Sequence, residues 1–152
     1  FYYYFKTKEN LLIETIRYYQ KIDLTKQREI LTDATHSPLE RIRQVGEMRL
    51  DQYENKFKFK LGCYAGNMSL EMGDISEPVR QVLDGYFSEY QQILADCLRE
   101  AQQDASISSA YDVEEVAAFM IDSFEGALVR MKAMGSAKPL HINMTMMRMF
   151  FA

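Results

Sequence analysis

Apolar residues recur along this chain at intervals of three and four, the period of helices that bury one side. No stretch alternates apolar and polar residues between tight turns, so strands are not expected and the pattern predicts an all-α fold. The strongest run follows Ser76-Glu77-Pro78, where Val79, Val82, Leu83, Tyr86, Phe87, Tyr90, Leu94, Cys97, Leu98 and Ala101 share one broad face. An earlier helix is expected from about Lys8 to about Thr25, with Thr7 as its cap and Leu11, Leu12, Ile16 and Tyr19 on its apolar side. The pattern leaves its continuation through Leu31 open.

Ser37-Pro38-Leu39-Glu40 places a serine cap, a first-turn proline and a capping-box glutamate in order. The helix it opens carries Leu39, Ile42, Val45, Met48 and Tyr53 and is expected to end near Phe57. Gly62, Gly66 and Gly73 then leave room for one short helix around Asn67–Met72. Asp112-Val113-Glu114-Glu115 opens a helix with two apolar lines, one of Ala117, Ile121, Phe124, Leu128 and Met131, the other of Val113, Val116, Met120 and Ala127. Gly135 ends it and Pro139 helps begin the last helix, which is apolar nearly all round. Such a terminal helix either packs into its own core or joins a second copy. The expected interface is Phe119, Ala127, Met131, Met134, Ile142, Met146 and Met149, the last two helices of each copy making half of a four-helix bundle.

The 152 residues are 47% hydrophobic, enough for one well-packed domain and too apolar for a disordered chain. No apolar run is long enough for a membrane span. The chain opens on FYYYFKTKE, without the apolar core of a signal peptide. Two cysteines, Cys63 and Cys97, make a poor case for a bridge and favour a reducing compartment. The net charge of −4 is unevenly spread: Lys and Arg are in excess up to residue 60, Asp and Glu beyond it. That reads either as ordinary scatter or as a basic end on an acidic body.

Two blocks then carry a resemblance. Phe1-Tyr2-Tyr3-Tyr4-Phe5-Lys6-Thr7-Lys8-Glu9-Asn10-Leu11-Leu12 resembles the end of the DNA-binding domain of TetR/AcrR-family transcriptional regulators. Lys60-Leu61-Gly62-Cys63-Tyr64-Ala65-Gly66-Asn67-Met68-Ser69-Leu70-Glu71 resembles the Gly-Cys/Gly-Asn block of one subgroup's ligand domain. Leu98–Gln102 and Phe124–Lys132 are similar to further blocks of that subgroup. The resemblance implies a TetR-like helical ligand-binding and dimerisation domain over residues 8–152. Residues 1–7 would be the remnant of a helix-turn-helix head whose other helices precede Phe1.

A bacterial, cytoplasmic, homodimeric repressor follows as the implied function, released from double-stranded operator DNA by a small-molecule effector. By the same resemblance, Tyr2, Tyr4 and Lys8 would contact DNA phosphates, which position a protein without reading bases. The residues leave open an alternative, a helical homodimeric sensor or interaction protein without DNA binding. For the effector pocket, the aromatic and methionine positions Tyr53, Phe57, Met68, Met72, Tyr86, Tyr90, Met120 and Phe124 are the candidates. They suit a moderately apolar ligand, and no buried carboxylate pair or cationic cluster points to a charged one.

Cys63, in a bend after Lys56, Lys58 and Lys60, is a candidate reactive thiol if those charges lower its pKa; the other reading is a small buried side chain. Cys97, on a core face, is expected to be inert. Glu125 is expected to pair with Arg130 or Arg99. Two lone histidines without ligand spacing predict no metal site, and no nucleophile motif, phosphate loop or cofactor fingerprint predicts an enzyme.

Overall fold

The computed structural model describes residues 2–151, with side chains from residue 8 onward. Its elements are α1 (Tyr2–Leu31), α2 (Pro38–Asp51), a π-helical turn (Gln52–Lys56), α3 (Tyr64–Met72), α4 (Glu77–Gln103), α5 (Val113–Met134) and α6 (Lys138–Phe150), with no strand among the described residues. The helix boundaries have visible chemical causes. Ser37 Oγ accepts from the Glu40 amide at 3.4 Å, and Ser76 Oγ accepts from the Val79 amide at 3.3 Å. Asp112 Oδ1 accepts from the Glu114 amide at 2.9 Å. Gly135 closes α5 in the left-handed region at φ 61°, and its amide returns to the Met131 carbonyl.

That glycine yields a clean prediction. A Cβ at position 135 meets nothing within 4 Å, so Gly135→Ala is charged only with backbone strain. Urea denaturation is expected to show a loss of about 1 kcal/mol; no loss would mean that the αL cap contributes nothing.

Three boundaries differ from expectation. α1 runs unbroken from Tyr2 to Leu31, so Thr7 lies inside a helix and is not the cap of a new one. α2 gives way at Gln52 to the π turn, where the Phe57 amide bonds the Gln52 carbonyl at 2.9 Å. α3 starts at Tyr64 and is capped by Cys63, whose Sγ lies 3.4 Å from the Gly66 amide.

α4 is the central post. α1, α2, α3 and α5 all pack on it, and α6 packs on α5 with a lighter contact to α2. Tyr86, Leu98, Leu128, Met131 and Leu140 are fully buried in the continuous core. The α1–α2 corner is pinned by Arg41, which is itself buried. Its Nε donates to the His36 carbonyl at 2.9 Å, and Nη1 donates to the Leu31 carbonyl at 3.0 Å and to Glu100 Oε2 at 2.7 Å. One side chain therefore satisfies the C-terminal end of α1 and ties it to α4.

Candidate ligand cavity

The sequence places three apolar side chains and one arginine in helical register on α2: Leu39, Ile42, Val45 and Arg49. They face α4, α5 and α6 across a cavity of about 350 Å³. Tyr90 and Leu94 contribute from α4, Met120 and Phe124 from α5, and Asn143, Met144 and Met147 from α6. Gly46 allows this close approach, since a Cβ there would fall 2.6 Å from Met144 Sδ. Asn143 Nδ2 donates to Ser123 Oγ at 3.0 Å, which fixes one polar group of the lining in place.

Behind the cavity lies a buried polar cluster built around Arg49, which is 3% exposed. Its guanidinium carbon sits 5.3 Å from the Tyr90 ring centre and 4.9 Å from that of Phe124. The closest carboxylate oxygens are Asp23 Oδ2 on α1 at 3.8 Å and Glu125 Oε1 on α5 at 3.9 Å. Asp23 Oδ2 already accepts from Tyr86 Oη at 2.8 Å and Gln27 Nε2 at 2.6 Å. Arg49 Nε and Nη1 have no hydrogen-bond partner.

Burial sets the protonation of the cluster. It raises the Glu125 carboxyl above its ordinary range, with Arg49 opposing, and it raises the phenols of Tyr19, Tyr53, Tyr86 and Tyr90. Burial alone would lower the Arg49 guanidinium, but Tyr90, Asp23 and the other surrounding oxygens outweigh it and hold it charged.

Of the eight residues expected to line the pocket, the structure brings Tyr90, Met120 and Phe124 to the cavity. Tyr53 is buried, its ring packing on Phe57 at 5.7 Å and Phe124 at 6.1 Å. Tyr86 belongs to the polar cluster through Asp23, and Phe57, Met68 and Met72 pack partly buried against the core. These five are not among the residues that line this cavity. The lining from α2 and α6 was not anticipated. Its signal in the sequence is Arg49 itself, a charge seven residues after Ile42 on an apolar stripe.

Cys63 is buried and free, as is Cys97. The expected lowering by Lys56, Lys58 and Lys60 does not occur, since all three are exposed. Burial pushes the Cys63 thiol up to about 11, Glu125 adds to the rise, and Arg49 and the Gly66 amide only partly oppose it. At pH 8 iodoacetamide is expected to label Cys63 in the native protein on the order of 100-fold more slowly than in the urea-unfolded chain. Equal rates would refute the protected thiol. Glu125 also departs from expectation, facing Arg49 while Arg99 is engaged by Asp96 and Glu114.

The expected interface divides in two. Phe119 (54% exposed), Met134, Ile142, Met146 and Met149 (66%) are uncovered on α5 and α6. Ala127 and Met131 are buried within the chain, because both apolar lines of α5 face the core. On α6 the uncovered residues at 142, 146 and 149 form one stripe at helical spacing. Lys8 is exposed on α1, while the side chains of Tyr2 and Tyr4 lie outside the described residues. Among the described residues, no helix is long and apolar enough to cross a membrane.

Comparison with known proteins gives this architecture a context. Residues 38–147 match the family described as tetracyclin repressor-like, C-terminal domain. Transcriptional regulator AcuR of Cereibacter sphaeroides is 29% identical over 141 residues, covering 93% of this chain and 64% of that protein. HTH-type transcriptional repressor DhaR of Mycobacterium sp. (strain GP1) is 29% identical over 143 residues, covering 92% of this chain and 68% of that protein. The chain thus spans about two thirds of the length of these curated relatives. Both are named as regulators of transcription, and neither as an enzyme.

The crystal structure of regulatory protein TetR from Rhodobacter sphaeroides superposes with a TM-score of 0.87 at 28% identity, over 96% of this chain and 77% of that one. The reduced form of E. coli NemR superposes at 0.75 and 19% identity, over 97% and 77%, a likeness of fold.

Proposed function

Because the chain belongs to the tetracyclin repressor-like C-terminal domain family, we propose that it is the effector-binding and dimerisation body of a DNA-binding transcriptional repressor. Residues 8–152 form that body and residues 1–7 the end of the DNA-binding head. The full-length protein works in the cytoplasm as a homodimer through α5 and α6, and a small molecule in the cavity releases it from operator DNA. Tyr2, Tyr4 and Lys8 would hold phosphates at the DNA-facing end, adding a salt-dependent part of the affinity.

The observation that carries this reading is the position of Arg49. It lines the cavity on one side and faces Asp23 of α1 on the other. α1 is also the helix that begins nearest the proposed head. A ligand that alters the Arg49–Asp23 relation prefers one setting of α1 over another, which is what a two-state regulator requires.

The test is a reporter fused to the promoter upstream of the gene. Deleting the gene is expected to raise expression, and complementation to restore repression. An unchanged reporter, or one that falls, would contradict repression at that promoter.

A further inference from the structure

The sequence pattern offered no reason to expect a charged ligand, yet the cavity ends on a buried guanidinium. We propose that Arg49 anchors an anion, and that the effector is a small organic acid with one carboxylate on an apolar body. This rests on the cavity being the effector site.

Four features support it. First, the Arg49 charge is balanced only at a distance. Asp23 and Glu125 stand at 3.8 and 3.9 Å, too far for hydrogen bonds, and Nε and Nη1 make no hydrogen bond. Buried donors left unmade are costly, and structures keep them where something else completes them. Second, Tyr90 and Phe124 lie close to the guanidinium carbon, at 5.3 and 4.9 Å to their ring centres, so aromatic surface holds the group in place while its donors point from the edge. A carboxylate meets such an edge with two parallel hydrogen bonds.

Third, three arginines line the cavity, Arg43, Arg49 and Arg148, against the single acid Glu40. Arg43 is occupied by Glu40 and Glu47, and Arg148 Nε donates to the Met144 carbonyl at 3.4 Å. With Arg43 and Arg148 so engaged, Arg49 is the lining arginine whose Nε and Nη1 make no hydrogen bond. Fourth, much of the cavity lining is apolar, with Ile42, Val45, Leu94, Met120 and Met144 among it. Inorganic phosphate would need several further donors there, whereas a hydrocarbon body fills the space. At about 350 Å³ the cavity is at the small end of ligand sites.

Calorimetry on the full-length protein tests this with straight-chain monocarboxylates from butyrate to decanoate, benzoate, the matched primary amides and inorganic phosphate. At least one acid is expected to bind about 10-fold or more tightly than its amide, since a charge-assisted pair is lost in the amide. Phosphate is expected not to bind. Arg49→Gln should bring the acid down to the amide level, and Arg49→Lys should recover part of the difference. The acid–amide comparison in the unaltered protein holds even if an Arg49 variant fails to fold.

Equal binding of acids and amides, binding of no acid, or binding of phosphate alone would overturn the proposal. Gly46→Phe, which fills the cavity, separates that failure from failure of the cavity reading. Amides that bind the unaltered protein but not Gly46→Phe would leave the cavity as the effector site and remove only the anion. Ligands that bind both proteins equally would remove the cavity as well.

Discussion

Ile142→Glu combined with Met146→Glu is expected to turn the full-length protein into a monomer that no longer holds its operator. Both side chains are uncovered in the single chain, at 47% and 53% exposure, so the substitutions should leave each subunit's fold intact. In the proposed dimer they lie on the stripe where α6 meets its copy. Two carboxylates per subunit would then be buried against apolar neighbours or face their own symmetry mates. A dimer binds two half-sites at once, and that gain disappears with the second head. Operator affinity is expected to fall on the order of 100-fold or more. Light scattering reads the mass and fluorescence anisotropy the affinity, while a far-UV circular-dichroism spectrum of unchanged helical content and a cooperative melt show that the monomer still folds. A variant with the dimer's mass and undiminished affinity would reject α6 as the interface.

Arg41→Ala should have the largest effect on stability of any single polar substitution considered. It removes the donor to the Leu31 and His36 carbonyls and the bond to Glu100 in one step. Carbonyls left without partners, together with the lost charged bond, give a cost of about 3 kcal/mol. For a chain of this size that lowers Tm by roughly 6–12 °C. The comparison needs equal protein concentrations, because a dimer's Tm depends on concentration. Arg41→Lys is not expected to rescue, since one ammonium cannot reproduce the fork that reaches three acceptors on two sides of the corner. A melt within about 2 °C of the unaltered protein would show that water or neighbouring groups replace Arg41 at little cost.

The fold was legible wherever local chemistry and helical period agreed. Ser37, Ser76 and Asp112 are good caps in front of amphipathic runs, and Gly135 is a good stop; all four mark helix ends in the structure. Reading failed where an end is made by an unusual residue or is absent. Cys63 caps α3 although a thiol is a poor acceptor, so the helix starts three residues earlier than its glycines suggested. Thr7 looks like a cap but lies inside a helix that simply continues.

At the cavity, residue type found Tyr90, Met120 and Phe124, but it could not say which of several buried aromatic faces borders empty space. Tyr53 and Tyr86 have the same chemistry and sit instead in close-packed or hydrogen-bonded surroundings. Arg49 was overlooked for the opposite reason. The inward face of that helix was read from apolar residues alone, while the register of Arg49 with Ile42 and Val45 places a charge inside as well. On α5, two apolar lines suggested that one was left over for a partner. Both are needed within the chain, and Phe119, Val129 and Met134 form the uncovered side.

The central claim, that this helical body serves a dimeric DNA-binding protein, is tested most directly by an anisotropy titration of the full-length protein on fluorescent DNA from its own upstream region, repeated over a salt series. The account predicts saturation at two chains per site and an affinity that falls steeply as salt rises, with random DNA of equal length bound far more weakly. Binding no stronger than to random DNA, for that region and for a library of fragments covering the genome, would contradict it.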